Sequence, residues 1–131
     1  MMNKVVWING CFDVLHYGHF QLIQYAARIG GKLVIGIDSD ERVKQLKGED
    51  RPFHTQEQRE YNLNQIRGVG EVIVFHTEDE LRETLKRLKP DVFVIGSDYM
   101  DKPIIGGEFA KEIRFFDRIE GFSTTKLLDN E

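Results

Sequence analysis

The sequence predicts an α/β fold, doubly wound around a mainly parallel sheet of five strands. Three observations carry that prediction. Short apolar runs at Val5 to Ile8, Leu33 to Ile37, Val72 to Phe75, Val92 to Ile95 and, more weakly, Ile113 to Phe116 are nearly continuous rather than alternating, as in strands buried on both faces. Between them lie stretches of helical periodicity. The alternation of strand and helix implies right-handed crossovers, hence helices on both faces of one sheet.

Each element has a local cause. After the first strand, Phe20, Ile23, Ala26 and Ala27 recur on one helical face. After the second, Val43 and Leu46 mark a short helix, followed by a loop from about Lys47 to His54. Thr55 with Gln58 has capping-box spacing for a helix through about Ile66, ended by Gly68 and Gly70. Leu81, Leu85 and Leu88 follow the third strand, and Pro90 closes that helix. A second loop runs from about Gly96 to Gly107, and Ser123 is placed to N-cap a last short helix. Both loops follow the C-terminal side of a strand, the edge at which open parallel sheets bind ligands where the strand order reverses.

The 131 residues fit one domain, 1–131, and contain no apolar run long enough to span a bilayer, nor a signal peptide's apolar stretch at the N-terminus. A cytoplasmic location is expected. Cys11 is the single cysteine, so no intramolecular disulfide can form. The balance of 18 Lys and Arg against 22 Asp and Glu, net −4, with no basic tail, disfavours a nucleic-acid polymer. It does not disfavour a mononucleotide: acids such as Glu78, Asp79, Glu80 and Glu83 fall on a helix expected to face solvent, leaving the cations free to focus a positive field in one cleft.

The segment Asn9 to His19 lies between the first strand and the first helix, where backbone N–H groups at a helix start can receive an anion. His16 and His19 are three apart, which puts both imidazoles on one side of the first turn, and Gly18 between them lets a phosphate approach the backbone. Two such rings can donate hydrogen bonds to a phosphoryl group as charge builds in a transition state.

Gly-Cys-Phe-Asp-Val-Leu-His-Tyr-Gly-His at 10 to 19 resembles the first signature of the small nucleotidyltransferases, whose HxGH motif grips the phosphates of a nucleoside triphosphate. Arg118 followed by Gly121-Phe122-Ser123-Thr124-Thr125 resembles the closing signature of the same family. The segment Leu46 to Phe53 with Glu57-Gln58-Arg59, and the run Gly96-Ser97-Asp98-Tyr99 with Ile104-Ile105-Gly106, most resemble the heptose-1-phosphate adenylyltransferases; the glycerol-3-phosphate cytidylyltransferases are the nearest sister group.

The resemblance implies a Rossmann-like nucleotidyltransferase fold, a homodimer, and transfer of a nucleoside monophosphate from a triphosphate to a phosphate monoester with release of pyrophosphate. It points first to ATP with D-glycero-D-manno-heptose 1-phosphate or a similar sugar phosphate. CTP with glycerol 3-phosphate is the alternative within the class, and a non-catalytic nucleotide-binding module the alternative outside it. His16, His19, Lys47 and Arg118 are then the expected catalytic residues. Asn9, Gly10, Cys11, Phe12 and Gly18 join His19 in holding the nucleotide, together with Gly96, Asp98, Arg118, Ser123, Thr124 and Thr125. Asp13, Asp38, Lys44, Lys47, Arg51, Arg59 and Tyr99 are expected around the acceptor. Mg²⁺ is expected to bridge phosphate oxygens, with Asp13 as the one nearby carboxylate able to orient it.

Plainer readings accompany these. Asp13 could cap the following turn, Lys44 and Lys47 could be solvated, and Arg51 and Arg59 could pair with Glu49, Glu57 or Glu60. Cys11 reads as a small packed side chain rather than a nucleophile or zinc ligand, Trp7 as core, and Tyr99 as the better stacking candidate.

Overall fold

A computed structural model describes residues 4–117. Strands β1 (Val5–Gly10), β2 (Lys32–Asp38), β3 (Val69–Phe75), β4 (Val92–Gly96) and β5 (Glu112–Phe116) form one sheet in the order β3-β2-β1-β4-β5, with every neighbouring pair parallel. Helices α1 (Tyr17–Ile29), α2 (Asp40–Lys47), α3 (Gln56–Asn64) and α4 (Glu78–Leu88) connect them. Two short 3₁₀ turns, Ser97–Tyr99 and Gly107–Phe109, occupy the connection from β4 to β5.

Both faces of the sheet are covered, which is why the strands read as continuous apolar runs. On one face Ile8 and Ile35 pack with Ile23 and Ala26 of α1 and Leu63 of α3. On the other Trp7, Val34, Phe75 and Phe93 pack with Leu81 and Leu85 of α4. Trp7 is fully buried, as a core residue should be, and lies over Gly36, where an added Cβ would come within 2.5 Å of its ring.

The expected capping box at Thr55 is present: its hydroxyl accepts from Gln58 N–H at 3.1 Å, and the Gln58 side chain accepts from Thr55 N–H at 2.9 Å. The helix it starts is shorter than the periodicity suggests, ending at Asn64. Gly68, at φ +102°, makes the turn, but Gly70 lies inside β3 beside a bulge between Leu33 and Val34, so it serves strand pairing rather than helix termination. The helix expected from Ser123 lies outside the described residues.

The chain crosses from β1 outward through β2 and β3, then returns to place β4 on β1's other side. The carboxyl ends of β1 and β4 therefore frame the switch point, where crossovers leave in opposite directions and a crevice opens.

Candidate active site

A cleft of about 580 Å³ opens at that edge. β1 delivers Gly10 and Cys11 into it, then turns through Phe12, a buried non-glycine residue at φ +51°. An added Cβ at Gly10 would sit 3.3 Å from the Phe12 ring, so the turn leaves little room for a side chain there. Asn9 also lines the cleft, with its Oδ1 accepting from Trp7 Nε1 at 2.8 Å; its amide hydrogens are what it has left to offer.

The two histidines cap α1 with their rings. His16 Nδ1 accepts from Gly18 N–H at 3.0 Å, and His19 Nδ1 accepts from His16 N–H at 3.2 Å. The rings stack with centroids 3.8 Å apart and planes 24° from parallel. Because each Nδ1 faces a backbone donor, a neutral ring would carry its proton on Nε2, and both histidines line the cleft. This corrects one expectation: the N–H groups of His16 and Gly18 are occupied by the rings and are not open to an anion.

On the β4 side the cleft is largely apolar, with Phe93, Ile95, Ile104 and Ile105 beside Gly96. Tyr99 stands at this rim, 43% exposed, with Lys102 Nζ 5.2 Å from its ring centre. Asp98 falls by its backbone in the same short turn. On the β2 side the lining is polar: Asp38, Arg42 and Lys47.

Lys44 is exposed and does not line the cleft, contrary to the sequence expectation. Successive helical residues turn by about 100°, so Lys44 lies roughly opposite Arg42 on α2, and Arg42 is the cation that enters. Sequence reasoning missed Arg42. Its signal was its position four residues after Asp38, which allows the 2.8 Å ion pair between Arg42 Nε and Asp38 Oδ1.

Asp13 and Arg59 are also reassigned. Asp13 is fully buried, and its carboxylate accepts from Phe53 N–H at 2.7 Å, His54 N–H at 2.8 Å and Arg51 Nε at 3.2 Å. It clamps the loop before α3 and, like its partner Arg51, does not line the cleft. Arg59, fully buried, donates to the carbonyls of Cys11 (2.9 Å), Asp38 (2.7 Å) and His54 (3.1 Å) and pairs with Asp40 at 2.8 Å. A buried guanidinium is tolerated because its hydrogens are so fully matched. It latches the ends of β1 and β2 to the loop and does not line the cleft. The ionic partners are Asp13 and Asp40, not the glutamates the sequence suggested.

Burial pushes the Cys11 thiol above its ordinary value, with Arg59 and Lys47 pulling only part of the way back. A protonated thiol is a poor nucleophile, in keeping with a packing role. No group of three or more His, Cys, Asp or Glu among the described residues could hold a metal ion. Arg118, Ser123, Thr124 and Thr125 lie outside the described residues.

Residues 7–126 match the family described as Cytidylyltransferase-like. The chain is 44% identical over 126 residues to the bifunctional protein HldE of a Nitratiruptor species, covering 96% of this chain and 27% of that protein. It is 42% identical over 125 residues to the bifunctional protein HldE of Campylobacter fetus, again covering 27% of the relative. The chain thus spans about a quarter of the length of these curated relatives. The crystal structure of the lipopolysaccharide core biosynthesis protein from Thermoplasma volcanium shares the fold, with a TM-score of 0.68, 21% identity, and coverage of 88% of this chain and 98% of that one. With a family match running from the middle of β1 to beyond β5, the chain belongs to the cytidylyltransferase-like family.

Proposed function

We propose that this chain is a nucleotidyltransferase that moves a nucleoside monophosphate from a Mg²⁺–nucleoside triphosphate to a phosphate monoester, with ATP and D-glycero-D-manno-heptose 1-phosphate as the pair. The observation that carries the reading is the histidine pair: two stacked imidazoles, each fixed at Nδ1 by a backbone N–H, line the cleft at the switch point.

In the reaction an oxygen of the acceptor phosphate attacks the α-phosphorus, a new P–O bond forms, and the bond from the α-phosphorus to the bridging oxygen breaks to release pyrophosphate. The attacking oxygen is anionic at neutral pH, so no general base or covalent nucleophile is needed, and catalysis reduces to positioning and charge stabilisation. His16 and His19 donate to phosphate oxygens as charge develops, and Lys47 neutralises charge from the β2 side. No group of three or more His, Cys, Asp or Glu among the described residues could cage a metal ion, and the Asp13 carboxylate is taken up by the loop clamp. The metal is therefore proposed to arrive on the triphosphate, as part of the substrate. Arg118, Ser123, Thr124 and Thr125 are proposed to take the remaining phosphates. The Lys47-Gly48 and Arg51-Pro52 elements and the similarity to HldE proteins support a sugar phosphate over glycerol 3-phosphate.

We place the reaction in the cytoplasm, where a nucleoside triphosphate is available and a single free Cys11 stays reduced. No helix of the described residues is long and apolar enough to cross a membrane. We also propose a homodimer, supported by a groove of about 400 Å³ where exposed Tyr17 and Phe20 of α1 flank Tyr25 and Phe116. Sedimentation at micromolar concentration tests it: a monomer throughout removes the dimer.

Pyrophosphate release tests the transferase reading, with ATP or CTP offered against heptose 1-phosphate and glycerol 3-phosphate. Turnover with ATP and the heptose is the expected result. CTP with glycerol 3-phosphate as the best pair would move the assignment to the alternative, and binding without turnover by any pair would leave a non-catalytic module.

A further inference from the structure

Asp38 closes β2 and Arg42 lies in the first turn of α2; both line the β2 side of the cleft. Arg42 Nε donates to Asp38 Oδ1 at 2.8 Å, and the two side chains keep only 15% and 14% of their exposure. The guanidinium lies 5.6 Å from the centre of the Phe75 ring, a cation–π contact that helps hold it. The fold does not use this pair elsewhere. Ser39 Oγ caps α2, and Arg59 takes the backbone carbonyl of Asp38 and the carboxylate of Asp40. Asp38 Oδ2 and the two terminal nitrogens of Arg42 make no further hydrogen bond among the described residues.

Building on the transferase reading above, we propose that the Asp38–Arg42 pair is a polyol subsite, recognising the hydroxyl groups of a sugar phosphate acceptor. A hydroxyl both donates and accepts, and so does this pair: Asp38 Oδ2 accepts while the guanidinium donates. Two neighbouring hydroxyls of a sugar ring match it donor for acceptor. A phosphate does not, because it offers acceptors only and the Asp38 carboxylate opposes a second anion. The anion has a better place at Lys47, which lines the same wall and has no ion-pair partner among the described residues. The cleft then divides by chemistry: the apolar β4 side beside Tyr99 suits the base, the histidines suit the reacting phosphates, and the Asp38–Arg42 side suits the hydroxylated part of the acceptor.

The test is calorimetric titration of the wild type, Asp38→Asn and Arg42→Gln, without nucleotide, using D-glycero-D-manno-heptose 1-phosphate and, separately, inorganic phosphate. The wild type is expected to bind the sugar phosphate at least about tenfold more tightly, the factor one or two charge-assisted hydrogen bonds supply. Each variant should lose most of that preference, and Asp38→Asn should do so without weakening the binding of inorganic phosphate. Asn is isosteric with Asp, and thermal unfolding shows which variants are intact; either intact variant decides the matter. A wild type with no preference for the sugar phosphate, or variants that keep it, overturns the subsite. Pyrophosphate release separates the two claims: preference without release leaves the subsite and removes the transferase, and release without preference does the reverse.

Discussion

The histidine turn in the cleft and the loop clamp behind it are built on different scales of sequence. In the β1–α1 turn each functional side chain is held by a neighbour two or three residues away: His16 by Gly18, and His16 N–H by His19. The loop before α3, behind the cleft, is held across the chain, through Asp13 to His54 over 41 residues and Arg59 to Cys11 over 48. A local device survives as long as its helix does. A long-range latch depends on the whole sheet edge closing, and it places side chains that no spacing rule reveals.

Replacing His19 by Ala attacks the local device and carries the largest effect. Loss of a positioned transition-state donor is expected to lower kcat about 10²–10³-fold, and loss of the acceptor for His16 N–H should cost about 1 kcal/mol of stability. Steady-state pyrophosphate release and urea unfolding read the two separately. Arg59→Met attacks the long-range device: it strands three carbonyls and the Asp40 carboxylate, and we expect a loss of about 3 kcal/mol in urea unfolding. Arg59→Lys should restore little, since one ammonium cannot reach four acceptors in different directions. If both variants unfold like the wild type, the latch is ornamental and the contrast between the two parts fails.

That contrast explains what was legible in the sequence. The strands and helices were, because buried parallel strands and capped amphipathic helices leave local patterns: Val5 to Ile8, Thr55 with Gln58, and Leu81 with Leu85 all name their elements. The histidine turn was legible for the same reason. The roles of Asp13 and Arg59 were not, since a carboxylate in a turn and an arginine on a polar helix have the same spacing whether they face a ligand or a loop carbonyl many residues distant. Lys44 and Arg42 were exchanged because a short helix with few apolar residues does not fix which side faces the cleft.

Smaller effects follow from the same contrast. Gly36→Ala forces a Cβ into Trp7 and should destabilise by about 1–3 kcal/mol while leaving kcat near the wild-type value, since Trp7 lies in the core below the cleft. Thermal unfolding with an activity check reads both. Lys44→Ala should change neither stability nor kcat/KM measurably, whereas Lys47→Ala should raise KM for the acceptor; equal effects would place Lys44 back at the site.

The smallest effect concerns pH. The Val5 N–H and Lys111 hold the Asp91 carboxyl below the usual carboxylate range. A depressed folded-state value means that stability is present above the ordinary carboxylate range and is lost as pH falls through the folded value. Asp91→Asn should therefore be less stable than the wild type at pH 7, and the difference should shrink in strong acid. A difference independent of pH would remove the charge from that explanation.

In the proposed reaction the histidine rings act through Nε2–H while Nδ1 serves the fold. His19→Asn separates the two, because the Asn carbonyl can accept from His16 N–H at the Nδ1 position but puts no donor where Nε2 was. Single-turnover pyrophosphate release by this variant, with unfolding monitored alongside, is the direct measurement. The expected result is a rate lowered about 10²–10³-fold at near wild-type stability; a wild-type rate in the correctly folded variant would show that the Nε2–H donor plays no part in the transfer.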